Sequence, residues 1–340
     1  MNNISLLAID IAKINFQLHG VDDKGNVMLR KKLTRNKLVE FIAKLPSCII
    51  AMEACGGANF WARKFTKLGH TVKLISPQFV KPFVKTNKND RNDAEAISEA
   101  AVRPTMRFVS PKTIEQQDVQ TLHRVRSLLV QERISLSNQI RGLLTEYGIT
   151  MAKGIHNLIK CLPNILEDEE TELSTLSKTV FRDLYEQILL KTKKIKEYEK
   201  LIETIFKQNS DYQKIAQIEG VGILTATAVI ACIGDIKLFK NGRHLSAYFG
   251  LVPKQHSSGG KEKLLGISKR GNTYVRSLLI HGARSAVLHA AKKNDRKSNW
   301  IKSLKERKGF NITTVALANK TARTIWSILT HNTDYKVIAA

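Results

Sequence analysis

Acidic residues are scarce in this 340-residue chain. Only 30 Asp and Glu stand against 55 Lys and Arg, which gives a formal net charge of +25. This imbalance is too large for an ordinary metabolic enzyme and indicates a polyanionic partner or an anionic membrane surface. No uninterrupted apolar run of about 20 residues is present, so a membrane span is not expected. Nucleic acid is therefore the simpler partner.

Cysteine is also rare, and its spacing is uninformative. The four cysteines form no C-x-x-C pair and suit no zinc site: Cys48, Cys55, Cys161 and Cys232. Buried thiols in a reducing cytosol are the expected explanation. The N-terminus has no basic stretch before an apolar core, so a signal peptide is not expected either. Hydrophobic residues make up 43% of the chain, enough for two or three packed domains.

The first hundred residues alternate between short apolar runs and helical patterns. Asp22-Asp23-Lys24-Gly25-Asn26 is a turn between the second and third runs, which predicts an antiparallel meander. The predicted order is three strands, helix, strand, helix, strand, helix, with strands at 4–10, 14–20, 27–33, 47–53 and 71–76 and helices at 35–44, 58–68 and 89–101. This order predicts an α/β domain with a mixed sheet of the RNase-H-like kind.

The rest of the chain is predicted to be mostly helical. Apolar residues recur at helical spacing over 113–147 and 176–208, which predicts a helical hairpin or coiled coil. An apolar helix is expected over 223–233, then a Ser/Gly/Lys loop at 257–263, then helices to about residue 330. Three parts follow: an α/β domain at 1–110, a helical or coiled-coil region at 111–210, and a mostly α-helical domain with a helix–hairpin–helix-like turn at 211–340.

Four acidic residues stand at the ends of predicted elements in the first part. Asp10 and Glu53 each end a strand, while Asp90 and Asp93 open a helix and share one helical face. Strand ends converge on one edge of an α/β sheet. Converging carboxylates need cations, and Mg²⁺ or Mn²⁺ are the hard ions that prefer oxygen ligands. Asp10, Asp90 and Asp93 each have an ordinary explanation, as a strand-end turn or at a helix N-terminus. Glu53 fits such an explanation less well, because an acid that ends a buried strand is costly without a partner. Together the four acids favour a metal site.

Two basic or glycine-rich segments are predicted to contact nucleic acid. Lys85, Lys88 and Arg91 lie beside the acids and can hold phosphates that the acids would repel. Gly220 and Gly222 precede a helix, and such glycines let backbone N–H groups approach a phosphate. A plain helix–helix turn is the alternative explanation for the glycines.

Ser257 and Ser258 are predicted to lie on a flexible, glycine-terminated loop among cations. A serine hydroxyl becomes a useful nucleophile when a base takes its proton and cations hold the phosphate. His256 is adjacent, and the N-terminal carboxylates or a metal-bound water are other candidate bases. The cations predicted to contact nucleic acid here are Lys261, Lys263, Lys269, Arg270 and Arg276. An ordinary Ser-Gly turn is the alternative.

These motifs together resemble a known family. The motifs are Ala8-Ile-Asp-Ile-Ala-Lys13, Met52-Glu-Ala-Cys-Gly56, Lys88-Asn-Asp-Arg-Asn-Asp-Ala94, Ile218-Glu-Gly-Val-Gly222, Phe249-Gly-Leu-Val-Pro253, Ser257-Ser-Gly-Gly-Lys261 and Ile267-Ser-Lys-Arg-Gly-Asn272. In this order they resemble the DEDD-type transposases of bacterial insertion sequences, the insertion sequence 110 family. The resemblance covers both ends of the chain and matches the middle helices only in kind.

The resemblance implies a transposase or recombinase that acts in the bacterial cytoplasm, on the nucleoid. Asp10, Glu53, Asp90 and Asp93 would be the Mg²⁺-binding catalytic tetrad of a RuvC-like domain. A catalytic serine would join covalently to a DNA phosphate; its distance from Pro253 places it at Ser258, with Ser257 as the other register. The implied partners are donor and target DNA, a noncoding bridge RNA, and further copies of the chain in a dimer or tetramer.

Two other functions fit parts of the pattern. A Holliday-junction endonuclease would use the same four acids to activate water and would need no serine. A non-enzymatic basic nucleic-acid-binding protein would need none of them. Trapping on a nicked suicide substrate separates the first from a serine recombinase, and the ordered acids argue against the second.

Overall fold

The computed structural model describes residues 4–85 and 90–336, without the side chains of residues 90 and 91. The chain divides into two compact units. The first contains Met1–Gln116 and Ile233–Lys240, and the second contains Gln117–Cys232 and Asn241–Ala340. In the described part of the chain, no helix combines the length and apolarity that a membrane crossing requires.

The first unit is built on one mixed sheet. Its strands are β1 (Leu6–Asp10), β2 (Asn15–Val21), β3 (Val27–Thr34), β4 (Ile49–Glu53), β5 (Thr71–Ile75) and β6 (Phe108–Val109). They lie in the order β3-β2-β1-β4-β5-β6, with β1, β4 and β5 parallel and the other pairs antiparallel. The helices of this unit are α1 (Arg35–Ala43), α2 (Ala58–Lys67), α3 (Pro77–Val80) and α4 (Asp90–Ala101).

Apolar residues cover both faces of this sheet, as the alternation of β1 illustrates. Leu7 and Ile9 pack on one face in a core that includes Trp61 of α2. Leu6 and Ala8 point to the opposite face and join Ile97 of α4. The predicted order of strands and helices is confirmed, and the first unit is a mixed α/β domain. The short strand β6 and the single turn α3 have no counterpart in the prediction.

The second unit is mainly helical. Its long helices are α5 (Ile114–Thr145), which begins in the first unit, α7 (Thr175–Lys207) and α12 (Arg296–His331). The backbone of α12 is kinked at Gly309, where φ is 78°. The shorter helices are α6 (Ile155–Glu167), α8 (Ser210–Ala216), α9 (Ile223–Ile233), α10 (Gly242–Tyr248) and α11 (Thr273–His289). The predicted helical C-terminal region is confirmed.

Helices α5 and α7 run antiparallel. Arg126 Nη2 lies 2.6 Å from Glu199 Oε1, and Lys191 Nζ lies 2.7 Å from Glu132 Oε2. Along α7 one residue in seven is fully buried: Phe181, Ile188, Ile195 and Ile202. Both long helices match the prediction, whereas a coiled coil stays a prediction. Helix α6, which contains Pro163, has no predicted counterpart.

The predicted serine loop is wrong as a secondary-structure assignment. Residues Pro253–Ser258 (β7) and Lys261–Ile267 (β8) form an antiparallel hairpin joined by Gly259-Gly260, both with positive φ. Two central residues with positive φ suit the right-handed twist of a hairpin. Both strands are largely exposed, so they lack the apolar alternation that reveals a half-buried strand.

Candidate functional site: strand-end carboxylates and a serine hairpin

Asp10 and Glu53 end two neighbouring parallel strands. Ile9 of β1 pairs with Met52 of β4, so the next residue on each strand is one of the two acids. Both are partly buried. Burial raises the pKa of the Cys55 thiol, and the charges of Glu53 and then Asp10 raise it further. The predicted convergence of these two strand ends is therefore present.

Helix α4 carries the other two predicted acids. It packs against β1, β2 and β4. Ala94 and Gln17 line one small cavity, and Gln17 is the register partner of Asp10, so the first turns of α4 lie near the Asp10 end of the sheet. Asp93 is partly buried in α4. The side chains of Asp90 and Arg91, and all of Lys88, lie outside the described residues.

The described acids fit a divalent metal ion in chemistry but do not complete a metal centre. Among the side chains that the structure describes, which exclude that of Asp90, no three His, Cys, Asp or Glu lie close enough together to hold one ion. Asp10 and Glu53 supply paired carboxylate oxygens, the donors that Mg²⁺ and Mn²⁺ prefer. They can form half of such a site, to which Asp90 and Asp93 would add from α4.

Lys85 is the one described member of the predicted basic segment. Its Nζ lies 3.7 Å from Glu95 Oε1 and 3.8 Å from Glu99 Oε1, and its side chain is 65% exposed. Long, exposed ion pairs of this kind are weak. Lys85 can exchange these partners for a phosphate, so its predicted contact stays a prediction.

The hairpin register separates the two candidate serines. Ser258 pairs with Lys261, and His256 pairs with Lys263. Because side chains alternate along a strand and cross-strand partners share a face, these four residues lie on one face.

Ser257 lies on the other face of the hairpin, opposite Glu262. Its Oγ accepts a hydrogen bond from Gln255 Nε2 at 2.9 Å. The face of Ser258 suits a phosphate, whereas Glu262 would repel a phosphate from Ser257.

The foot of the hairpin is held by backbone contacts and by one buried arginine. Ser268 N donates to Val252 O at 2.8 Å, and Lys269 N donates to Gly250 O at 3.1 Å. Arg276 is only 7% exposed, and its Nη1 donates to Arg270 O at 2.8 Å and to Phe249 O at 3.3 Å. This geometry favours a structural role for Arg276 over its predicted contact with nucleic acid.

The remaining predicted cations of this segment are accessible. Lys261, Lys263, Lys269 and Arg270 are all exposed. Lys269 has a φ of 55°, so the turn between β8 and α11 holds a lysine in left-handed backbone. Such a conformation is uncommon for a residue with a side chain and marks the turn as locally strained.

The two candidate glycines differ in their surroundings. Gly220 has a φ of +85°, and a Cβ there would overlap the carbonyl oxygen of Gly282 in α11. Its lack of a side chain therefore serves close packing between backbones. A Cβ on Gly222 would meet nothing within 4 Å. Phosphate binding at this turn stays a prediction, which Gly222 fits better than Gly220.

Alanine at these two positions should have unequal effects. Gly220→Ala forces a side chain into left-handed backbone and against Gly282, and we expect it to lower the free energy of unfolding by about 2 kcal/mol or more. Gly222→Ala should leave the unfolding energy nearly unchanged, since it enters open space. Urea unfolding of both variants checks this, and equal destabilisation would contradict the packing role of Gly220.

A buried polar network joins α5, α9 and α11. His123 Nδ1 lies 3.0 Å from Tyr274 Oη, and His123 Nε2 lies 2.9 Å from Thr227 Oγ1. Thr227 Oγ1 donates to Ile223 O at 2.8 Å, so it accepts from Nε2, and Nδ1 accepts from Tyr274. The sequence reasoning missed His123, because a lone histidine on a long amphipathic helix carries no distinguishing signal. The network fixes the start of α11, which directly follows the hairpin and its turn.

His123 should make stability depend on pH. Burial, and then the charge of Arg126, lowers its pKa from 6.5 to about 4. Between those two pH values His123 binds a proton in the unfolded chain but not in the folded chain. Its contribution to the free energy of unfolding is therefore complete above pH 6.5 and is lost as the pH falls. We expect a loss of about 3 kcal/mol across this window from this residue.

Urea unfolding of wild type and His123→Gln at several pH values checks this expectation. The variant should show a shallower loss of stability between pH 6.5 and 4. Identical pH dependence in the two proteins would mean that His123 is not held neutral by the fold.

Comparisons with known proteins find transposase families at both ends of the chain. Residues 7–149 match a transposase family defined on DEDD-type IS110 elements, and residues 212–298 match the transposase IS116/IS110/IS902 family. The transposase for insertion sequence element IS1111A of Coxiella burnetii is 51% identical over 99% of this chain and 92% of its own length. The transposase for IS1328 of Yersinia enterocolitica is 42% identical over 98% of this chain and 99% of its own.

These matches define the class, which is that of insertion-sequence transposases, proteins that cut and rejoin DNA. Within that class, the chain belongs to the IS116/IS110/IS902 family. The family resemblance drawn from the motifs is confirmed.

Proposed function

We propose that this transposase cuts and rejoins DNA with four acids that bind Mg²⁺ or Mn²⁺ and with Ser258 as the nucleophile. The acids are Asp10, Glu53, Asp90 and Asp93. The observation that carries the proposal is the hairpin register, which groups Ser258 with His256, Lys261 and Lys263. The adjacency of Asp10 and Glu53 at two strand ends supports the acidic half.

The serine step exchanges one phosphodiester for another. Ser258 Oγ attacks the phosphorus, a phosphorus–Oγ bond forms, and the bond from phosphorus to a deoxyribose oxygen breaks. The proton of the serine passes to a base, for which His256 is the titratable group on the same face, and the leaving oxygen takes up a proton. Attack by a hydroxyl of the partner strand then reverses these bonds and releases the serine. No water or external energy source is consumed.

Cations on the hairpin would hold the phosphate during this exchange. Lys261 and Lys263 project from the strand opposite Ser258 and would neutralise the negative charge of the phosphodiester and the further charge that develops on its oxygens during attack. The metal ions, when bound, would polarise the phosphate and stabilise the charge on attacking and leaving oxygens. Asp10 and Glu53 would hold these ions through their carboxylate oxygens.

The fold of the first unit supports the acidic half of the proposal. A meander of three antiparallel strands followed by two parallel strands, in the order β3-β2-β1-β4-β5, supports an RNase-H-like assignment. We assign residues 1–110 to this RuvC-like domain, 111–210 to a helical oligomerisation region, and 211–340 to the serine-bearing domain.

Further contacts with nucleic acid are assigned to exposed cations and to one glycine turn. They comprise Lys85, Lys88, Arg91, Gly222, Lys261, Lys263, Lys269 and Arg270. Contacts of lysine and arginine with phosphates contribute affinity but do not distinguish one base sequence from another. Choice of target is then left to another component, and we propose a noncoding bridge RNA that pairs with donor and target DNA.

Oligomerisation is assigned to the long helices α5 and α7. Both expose apolar side chains that a monomer leaves in water: Leu128, Ile134 and Leu143 on α5, and Leu176, Val180, Leu189, Leu190 and Leu201 on α7. Apolar surface of this kind on helices is typical of an interface. A homodimer or homotetramer would bring together the serines needed for several strand exchanges.

Reconstituted strand exchange tests the proposal. The purified chain, Mg²⁺, donor and target DNA, and the noncoding RNA flanking its gene should yield joined strands. Altering the pairing segment of the RNA should redirect the junction. Cut strands without joined products would instead support the Holliday-junction nuclease. Joined products formed in the absence of RNA would show that the transposase does not need an RNA guide.

A further inference from the structure

The second unit contains a cavity of about 520 Å³ that includes none of the residues assigned above. It lies where the kink at Gly309 folds α12 back, so that residues near both of its ends line one space. Residues 333–336, which follow α12, close another side. This volume falls within the range of small-ligand sites.

The cavity carries a net positive charge. Its lining has two carboxylates, Asp295 and Asp334, and four cationic side chains: Arg296, Lys297, Lys320 and Lys336. Lys297 Nζ lies 3.1 Å from Glu219 Oε2, and the same carboxylate also binds Lys293. Among the described residues no carboxylate lies within ion-pair distance of Lys320.

Neighbouring positive charges disfavour the protonated form of Lys320. Burial lowers the pKa of Lys320, and so do the charges of Arg323, Lys297 and Arg296. A cluster of mutually repelling cations is stabilised by an anion that enters it.

Aromatic rings lie beside these cations. Lys320 Nζ stands 4.5 Å from the centre of the Trp300 ring, and Lys297 Nζ stands 5.8 Å from that of Tyr335. The hydroxyls of Thr324 and Ser327 belong to the same lining. Cations for a phosphate, rings for a base and hydroxyls for a sugar are the three groups that bind single-stranded nucleic acid.

We propose that this cavity binds one unpaired nucleotide of a nucleic-acid strand. Lys320 and Arg296 hold its phosphate, and Trp300 or Tyr335 stacks on its base. RNA and DNA present the same phosphate and base, so either can supply the nucleotide. The site concerns binding alone and is independent of the serine and carboxylate chemistry.

Photochemical cross-linking of the wild-type full-length chain tests the site without any substitution. Short single strands carrying 5-iodouracil at one position, as DNA and as RNA, are bound, irradiated and mapped by mass spectrometry. We expect a cross-link on the peptide containing Trp300 or Tyr335. The arm with the stronger cross-link identifies whether DNA or RNA occupies the cavity. Cross-links confined to other peptides in both arms would overturn the proposal.

Binding by matched variants gives a second test. Trp300→Ala should weaken binding of the preferred single strand about tenfold, and Trp300→Phe should restore most of it, because stacking needs only an aromatic face. Lys320→Gln should lower the slope of log affinity against log salt by about 0.7, and Lys320→Arg should not.

Lys308→Gln is the control, since it removes one exposed charge from α12 outside the cavity. It should change single-strand affinity less than either cavity variant, and duplex affinity should not distinguish cavity variants from the control. Thermal unfolding confirms that each protein is folded. If folded Trp300→Ala and Lys320→Gln bind single strands as Lys308→Gln does, the proposal fails.

Discussion

Ser258→Ala should abolish the covalent protein–DNA adduct, with a loss of strand joining of at least about a thousandfold, because no other atom in the proposed step can form the bond to phosphorus. Ser257→Ala should retain adduct formation. The two hydroxyls are neighbours in sequence, but alternation along β7 places them on opposite faces of the hairpin. Only Ser258 shares its face with Lys261 and Lys263.

The adduct is measured on a denaturing gel with a nicked suicide substrate, which prevents rejoining. Ser257→Ala serves as the matched control, since it removes the same hydroxyl one residue away. If the adduct is lost in Ser257→Ala but kept in Ser258→Ala, Ser257 is the nucleophile instead of Ser258. Adduct kept in both variants would exclude either serine as the nucleophile.

Asp10→Asn should reduce strand cleavage by roughly a thousandfold, because it replaces a charged metal ligand and removes several kcal/mol of charge stabilisation. Glu53→Gln should act similarly, since Glu53 ends the parallel strand beside Asp10. DNA affinity should change little, because an acid in a chain of net charge +25 does not attract phosphate.

Cleavage and DNA affinity are measured for each variant with Mg²⁺ and with Mn²⁺. Glu40→Gln is the control, because it removes one exposed acid from α1 of the same unit. Cleavage by Asp10→Asn at the rate of Glu40→Gln would exclude Asp10 as a metal ligand. Equal loss of DNA binding and cleavage would instead indicate a folding defect.

The adjacency of Asp10 and Glu53 was predictable because strand order and strand ends leave a strong signal. Buried apolar runs identify β1 and β4, and each run stops at an acid. Parallel pairing of such strands then places Asp10 beside Glu53. The same reasoning could not find β6, since two residues are too few to establish a period.

The serine half was predictable in residue type but not in geometry. Residues 253–267 contain few apolar residues, and both faces of the hairpin are exposed, so no period marks them as strands. Because no strands are predicted here, no cross-strand register can be assigned, and the sequence cannot say which face Ser257 or Ser258 occupies. The separation of the two serines therefore comes from the cross-strand pairs alone.

Arginines and lysines show a second limit of sequence reasoning. Arg276 and Arg270 belong to one basic segment, yet Arg276 is buried and donates to two backbone carbonyls while Arg270 is exposed. The side chain alone does not reveal which carbonyls lie nearby. Likewise, Lys320 and Trp300 come together only because α12 bends at Gly309.

Peptide mapping of the trapped adduct tests most directly whether Ser258 is the nucleophile and whether it needs the carboxylates. The wild-type chain is reacted with a nicked suicide substrate in Mg²⁺, digested with protease and nuclease, and its phosphonucleotide-bearing residue is identified by mass spectrometry. The account predicts a nucleotide on Ser258, and none when Asp10→Asn replaces the wild type. Cleaved substrate without any linked residue would contradict it and show that water, not serine, attacks the phosphate.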